Sequence, residues 1–468
     1  TVVGIGDMSG DVFGNAMLLS HATRLLAAFD HRHIFLDPAP DPEKSWTERK
    51  RLFDLARSSW ADYDQNLISS GGGVFARTAK AIPLSAETKA LTGLAGDKAA
   101  PDEIIAALLK APVDLLFFGG IGTFVKASRQ INAEVGDRAN DAVRIDASEL
   151  KAKVVGEGAN LGLTQAGRVE AAANGVRLNT DAIDNSAGVD TSDHEVNLKI
   201  LIGGPMRRGE IDAAERDRLL AAMTDTVAAQ VLRDNIDQTL ALSVAERRAP
   251  ADLDADGRFM RDLERRGELN RKVETLPDDA ELARRAAKGL GLTRPELAVL
   301  LAYAKLDLKR TVQETSLPDD PYLQADLAAY FPPEAAERFR DELPRHRLKR
   351  EIVASVAVNR LVNLAGPLAA MRIEEISGVT DARAVRGLLA AEAAFDLSGL
   401  KACIDALDGR MDPAVHIAMV DAVGETLGRL GLWFAVNVPE GASFGGTVDL
   451  YRQGAEALGG TFSTLVSP

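Results

Sequence analysis

Thr1-Val2-Val3-Gly4-Ile5-Gly6-Asp7-Met8-Ser9-Gly10-Asp11 opens the chain, a β-branched run that meets glycines and then an acidic residue. A short apolar strand that enters glycines ahead of a helix is the first part of a dinucleotide-binding unit. Asp11 to Leu26 read as that helix, with apolar Val12, Phe13, Ala16, Met17 and Leu19 recurring along it. Arg32 to Asp37 read as the second strand, ended by the proline-rich turn Pro38 to Pro42. In this reading Gly4 takes the tight turn and Gly6 lets the main chain approach a pyrophosphate with no Cβ in the way. Amides around Asp7, Met8 and Ser9 point at the phosphates, where the helix dipole favours negative charge. Asp37 accepts hydrogen bonds from a ribose diol and repels a 2′-phosphate, which favours NAD over NADP. Two departures stand out. The third glycine is replaced by Ser9 or displaced to Gly10, and Asp37 lies 33 residues after Gly4, beyond the usual spacing of about 20. A start inside a strand motif also predicts that the chain is part of a longer polypeptide.

Outward from this unit, the pattern repeats. Val113 to Phe118 read as a buried strand running into Gly119-Gly120-Ile121-Gly122, and Val154-Val155-Gly156 as another entering Glu157-Gly158-Ala159-Asn160. Glu43 to Arg57 and Pro101 to Leu109 read as helices, and Leu67 to Phe75 as a glycine-rich loop without a P-loop lysine. Strands followed by glycine turns and helices argue for an open parallel α/β sheet, whose ligands bind beyond the carboxyl ends of the strands. All of these glycine clusters are expected on that edge. From Gly209 the texture becomes helical, with candidate helices over Gly209–Arg248, Asp279–Leu290, Arg294–Glu314 and Leu348–Leu364, divided by Pro-Asp linkers. Val436 to Gly446 and Gly459 to Pro468 read as a loop and a tail. The expected architecture is therefore an α/β Rossmann-like nucleotide-binding domain over 1–208, followed by a mainly α-helical C-terminal domain over 209–468.

Composition narrows the function. The 468 residues are 46% hydrophobic and 26% charged, ordinary for a chain with a sizeable core, and 55 Lys+Arg against 69 Asp+Glu give −14. That charge disfavours nucleic-acid and anionic-membrane partners. No apolar run approaches the roughly 20 residues of a membrane span, and the single cysteine, Cys403, fits a reducing cytoplasm. Six histidines without an HxxxH or HExxH pattern predict no metal centre, and a GxSxG elbow is missing. The basic run Arg345 to Arg350 reads as a solvated helix face. Asn179 to Asn197 is dense in polar groups ahead of an apolar helix start at Val196, which would put Ser192 or Asp193 at a helix N-terminus suited to a carboxylate ligand.

Three blocks carry a family resemblance: Gly4 to Asn15, Gly156-Glu157-Gly158-Ala159-Asn160-Leu161-Gly162-Leu163-Thr164, and Asn185-Ser186-Ala187-Gly188-Val189-Asp190-Thr191-Ser192. In this order they resemble the large NAD-specific glutamate dehydrogenases of bacteria. The resemblance implies that Gly4, Gly6, Met8 and Ser9 form the pyrophosphate turn and that Asp37 is the adenosine-ribose acid. It further implies that Asn160 lies near the nicotinamide and its ribose and that Ser192 binds the substrate carboxylate. Ser186 and Ala187 stand where smaller members of the family have Ala and Gly. The implied reaction is oxidation of L-glutamate by hydride transfer to NAD, then hydrolysis of the imine to 2-oxoglutarate and ammonium. A lysine and an aspartate promote the proton transfers. In the family both lie before the nucleotide-binding domain; Lys80, Lys126 and Lys199 are the nearest lysines here, and none is assigned. The chain would then be the nucleotide-binding part of a homo-oligomeric enzyme, inactive alone. A dehydrogenase of another amino acid, or a regulatory or oligomerisation module, are the alternatives.

Overall fold

The structure is a computed structural model; it describes residues 1–466 and the side chains of residues 1–457. The chain divides into two compact units, one of Thr1–Ser186 with Thr293–Glu296 and one of Ala187–Leu292 with Leu297–Pro468. The division thus falls at Ser186, ahead of the 208/209 boundary expected from the sequence, because a continuous helix already begins there.

The first unit is built on six strands: β1 (Val2–Ile5), β2 (Leu25–Phe29), β3 (His33–Leu36), β4 (Gly73–Ala76), β5 (Leu115–Phe118) and β6 (Val154–Glu157). Their order is β6-β5-β1-β2-β3-β4. β6, β5, β1 and β2 pair in parallel, and β3 is antiparallel to both of its neighbours, so the sheet is mixed. Alternate residues feed two cores. Val3, Ile5, Ala27, Phe29, Leu116 and Phe118 face one, while Val2, Leu25, Ala28 and Phe35 face the other with Phe13 and Trp60. Burial on both faces explains the near-continuous apolar strands.

The helix expected over Asp11–Leu26 is the main correction. It runs only over Asp11–Leu18 (α1), and Leu25–Phe29 is β2. Four of the five β2 residues are buried, and as a strand between β1 and β3 they face both cores. The expected second strand, Arg32–Asp37, is instead the antiparallel β3. Helices at Pro42–Asp54 (α2) and Pro101–Leu109 (α3) stand close to expectation, the first with Asp41 capping the amide of Lys44. A further helix, α4, covers Gln165–Ala173.

The second unit is helical. Its main elements are α5 (Ser186–Arg207), α6 (Thr224–Arg265), α7 (Arg294–Gln313, whose first turn belongs to the first unit), α8 (Lys349–Ala365), α9 (Ala369–Ser377), α10 (Asp381–Ala394), α11 (Pro413–Asn437) and α12 (Phe444–Val466). α10 and α11 approach through glycines: a Cβ on Gly387 would lie 2.6 Å from the Gly431 carbonyl oxygen. The helix of α12 replaces the tail expected from Gly459, while Ser467 and Pro468 lie outside the described residues. The expected loop over Val436–Gly446 shortens to the residues between Asn437 and Phe444. In the basic run, His346 is buried, and Arg345 and Arg350 pair with Glu342 and Asp319. Among the described residues no single helix is long and apolar enough to cross a membrane; only the bent pair α8 and α9 passes on length and composition, and the apolar face of α8, from Ile352 to Leu364, is buried in the unit.

Candidate functional site

β1, β2, β5 and β6 all end on one edge of the sheet. β1 connects through α1 to β2 on one side, while β5 on its other side is reached only after the β3–β4 excursion. A crevice opens where strand order reverses in this way. At its floor Gly6 has φ +138°, a region that favours glycine. Its amide donates to the Phe29 carbonyl (2.8 Å), and its carbonyl accepts from the Trp60 indole (2.9 Å). The turn is thus fixed to β2 and to the core. Phe13 of α1 occupies the space that a Cβ on Gly4, Gly6 or Gly119 would need. Gly4 is therefore a strand residue whose missing Cβ lets α1 pack closely, and the tight turn expected there belongs to Gly6.

The next three residues divide their work. Met8 is buried. The Asp7 carboxylate accepts from the Ser9 amide (3.0 Å) and hydroxyl (2.5 Å) and pairs with Arg32 at 3.3 Å. Burial opposes its charge, but bonds from Ser9, the Asp30 carboxyl and Arg32 hold the carboxyl below its ordinary range. The Gly10 amide donates to the Asp7 carbonyl (3.2 Å). The amides of Ser9 and Gly10 are thus engaged within the turn, contrary to the expectation that Ser9 points its amide at a ligand. The open donors are the first-turn amides of α1, which starts on Gly10 with no side-chain cap.

Asp37 stands at the other edge. Because β3 runs backwards, Leu36 pairs with Ala27 and the Asp37 amide donates to the Leu26 carbonyl, at the amino end of β2. Asp37 is fully buried there and accepts from the Ser69 amide (3.0 Å) and hydroxyl (2.5 Å). Its expected place beside a ribose is corrected by this reversal. Gly71 to Gly73, which lead into β4 opposite Leu36, share that amino edge and also leave the expected cluster. The acid at the carboxyl tip of β2 is Asp30. Its Oδ1 accepts from the amides of Arg32 (2.7 Å) and His33 (2.6 Å), while its buried Oδ2 has no hydrogen-bond partner and lies 3.7 Å from Arg32 Nε. Burial pushes the Asp30 carboxyl up from its ordinary range.

β6 brings its block to the same edge. Glu157 is buried against Arg168 of α4, which donates to it from Nε (2.7 Å) and from a terminal nitrogen (2.9 Å), and it accepts from the Leu163 amide (3.1 Å). The arch between them presents Asn160, exposed and bonded to the Asn185 amide group. Leu161 follows with φ +64° and is exposed, with its amide donating to Asp181 (2.8 Å). A left-handed leucine is strained, and such residues cluster at ligand sites. Ser192 lies in the second unit, within the second turn of α5. It is exposed, and its hydroxyl donates back to the Gly188 carbonyl (3.2 Å). The helix starts at Ser186, not Val196, so Ser192 is not at a helix N-terminus.

Residues 1–245 match the family described as bacterial NAD-glutamate dehydrogenase, catalytic domain. The chain belongs to that family. Residues 289–468 match the glutamate dehydrogenase C-terminal family. Curated relatives named NAD-specific glutamate dehydrogenase come from Pseudomonas aeruginosa (49% identical, covering 93% of this chain and 27% of the relative), Mycobacterium tuberculosis (48%, covering 98% and 28%) and Halomonas elongata (48%, covering 96% and 28%). The chain therefore spans little more than a quarter of the length of these relatives. In this chain, sequence reasoning missed Asp30 because the expected helix runs on to Leu26, over the start of β2. The signal was present: the apolar run Leu25-Leu26-Ala27-Ala28-Phe29 ends in an acid 26 residues after Gly4, closer to the usual spacing than Asp37.

Proposed function

We propose that this chain is the Rossmann-like nucleotide-binding part, with the helical C-terminal part, of an NAD-dependent L-glutamate dehydrogenase. The observation that carries the reading is Asp30, a buried acid at the carboxyl tip of β2 on the same sheet edge as the Gly6 turn, whose Oδ2 faces Arg32 at 3.7 Å without a hydrogen bond. The crevice fits a dinucleotide: uncapped first-turn amides of α1 suit a diphosphate, and Asp30 suits a ribose diol. Bound NAD supplies the hydride acceptor. Around it, Gly6 keeps the backbone low beneath the diphosphate, Asp7 and Ser9 shape the turn, and Met8 anchors the turn to the core. Asn160 orients the nicotinamide ribose from the arch after β6, and Ser192 binds a substrate carboxylate. L-Glutamate and 2-oxoglutarate are the substrates, in line with the names of the relatives. No residue of this chain is assigned to proton transfer. A cytoplasmic homo-oligomer completes the reading; the exposed free thiol of Cys403 fits the reducing compartment.

Calorimetric titration with NAD and NADP tests the core of this. NAD is expected to bind more tightly; Asp30→Ala should weaken it by about tenfold or more, the scale of a lost charge-assisted hydrogen bond. Equal affinities for the two dinucleotides, together with an unaffected Asp30→Ala variant, would sink it. For the substrate, Ser192→Ala in the full-length enzyme should raise the glutamate KM, and an unchanged KM removes Ser192 from the site.

A further inference from the structure

Asp190 and His194 lie one turn apart on α5, and Asp234 comes from α6. One donor atom from each of the three side chains lies within 4.8 Å of the other two. All three belong to the helical unit, and the two carboxylates line a cavity of about 690 Å³. His194 is the unusual member. It is 3% exposed and its ring stacks on Tyr330 at 4.5 Å, yet Nδ1 is buried without a partner, and Nε2 points at Asp190 Oδ1 from 3.8 Å, too far for a hydrogen bond. A buried imidazole nitrogen left without a hydrogen bond is costly. A proton shared between two carboxyls would relieve their repulsion but would do nothing for the imidazole. Lys305 lines the same cavity; its ammonium donates to Gln238 (3.4 Å) and offsets part of the charge of Asp234 and Asp237, but leaves the imidazole unsatisfied.

We propose that Asp190, His194 and Asp234 form a binding site for a divalent first-row transition cation that ties α5 to α6. Bonds of about 2.1 Å place neighbouring ligand atoms about 3 Å apart and opposed ones about 4 Å apart, so small side-chain rotations close the triad. One imidazole with two carboxylates suits Mn²⁺, Fe²⁺, Co²⁺ or Zn²⁺ rather than Mg²⁺ or Ca²⁺, which prefer all-oxygen shells. The pattern is Asp-x-x-x-His with a distant Asp, which a search for paired histidines or cysteines passes over. The role is to hold the turn of α5 between its two ligands; no step of the dehydrogenase reaction is routed through the cation, and the proposal does not depend on where NAD binds.

The test is equilibrium dialysis of the chelator-stripped full-length protein against Co²⁺, read by metal content and by the visible d–d absorption of the bound ion. Wild type is expected to hold one equivalent that is lost in His194→Gln and in Asp234→Asn. Each affinity should fall by more than the roughly tenfold that even an outer partner of a metal ligand is worth. Both variants should keep the circular dichroism of the metal-free wild type, since Asp234 is exposed and glutamine retains most of the volume of His194. Asp225→Asn, on the same helix, should bind as wild type. The proposal is overturned if wild type shows no saturable equivalent, or if both ligand variants bind Co²⁺ with the same affinity and spectrum as wild type.

Discussion

Asp30 concentrates the chemistry of the crevice in one side chain. Arg32 sits 3.7 Å from its Oδ2 and 3.3 Å from Asp7, so removing the acid leaves a guanidinium held by Asp7 alone beside the proposed ribose position. Asp30→Ser should therefore weaken NAD and strengthen NADP, narrowing or reversing the ratio of their affinities in a fluorescence titration. A parallel loss of both would show that Arg32 does not reach a 2′-phosphate. Asp37→Asn, at the opposite edge, should leave both affinities within about twofold in any variant that retains its melting temperature, because no ligand contact is lost. Glu157 makes a different prediction. Its partner Arg168 is 4% exposed, so Glu157→Ala strands a buried guanidinium and should cost about 3–5 kcal/mol in denaturant unfolding. A loss under about 1 kcal/mol would mean that Asp181, 3.0 Å from Arg168, carries the pair. The residues of this edge were only partly legible. Gly6 was identifiable because its chemistry is local, a turn after a strand. Asp30 and Asp37 look alike in a linear pattern, and what separates them is the direction of β3.

Elements were legible where period and breakers agree. Pro-Asp boundaries placed α7 and α8 to within a residue or two, since caps and prolines act locally. The pattern failed at Asp11 to Leu26, where a short helix, a turn and the start of a strand buried on both faces read together as one apolar helix. Nothing local reveals that a strand covers both sides of those leucines. Two predictions belong at this scale. Gly387→Ala should destabilise the α10–α11 crossing by about 1–3 kcal/mol, since the new methyl meets the backbone of Gly431 and Ala435; an unchanged melting temperature would show that the helices can part freely. Where α9 meets the start of α10, burial and the neighbouring Asp381 push the Glu374 carboxyl up to about 7. A carboxyl raised in the folded state binds more protons than in the unfolded one, so stability falls as pH rises from about 4.5 to 7. Glu374→Gln should accordingly raise the melting temperature at pH 8, with the gain fading below pH 4.5. A gain independent of pH would assign the effect to packing.

The two units are built on different principles, one on a sheet buried on both faces and the other on packed helices. Two calorimetric transitions are expected, and NAD at about 100 times its Kd should raise one of them by a stabilisation of about 2.7 kcal/mol while leaving the other in place. A single transition moved as a whole would show that the units unfold as one. The change from strands with glycine turns to uninterrupted helices was visible in composition, whereas the position of the boundary was not. The polar run Asn179–Asn197 resembles a surface loop, but α5 begins inside it at Ser186.

The four residues Thr293–Glu296 carry a practical lesson. They return to the sheet unit after more than a hundred residues spent elsewhere, and there Arg294 donates to Asn179 (2.6 Å) while the Pro295 carbonyl accepts from Gln165 (3.3 Å). Anyone trimming the gene to obtain a minimal cofactor binder would be tempted to stop at Ser186. That product would lack its own last patch, leaving Asn179 and the start of α4 bare. A shorter piece that still behaves well in solution would have to splice this tetrapeptide back in by a designed linker.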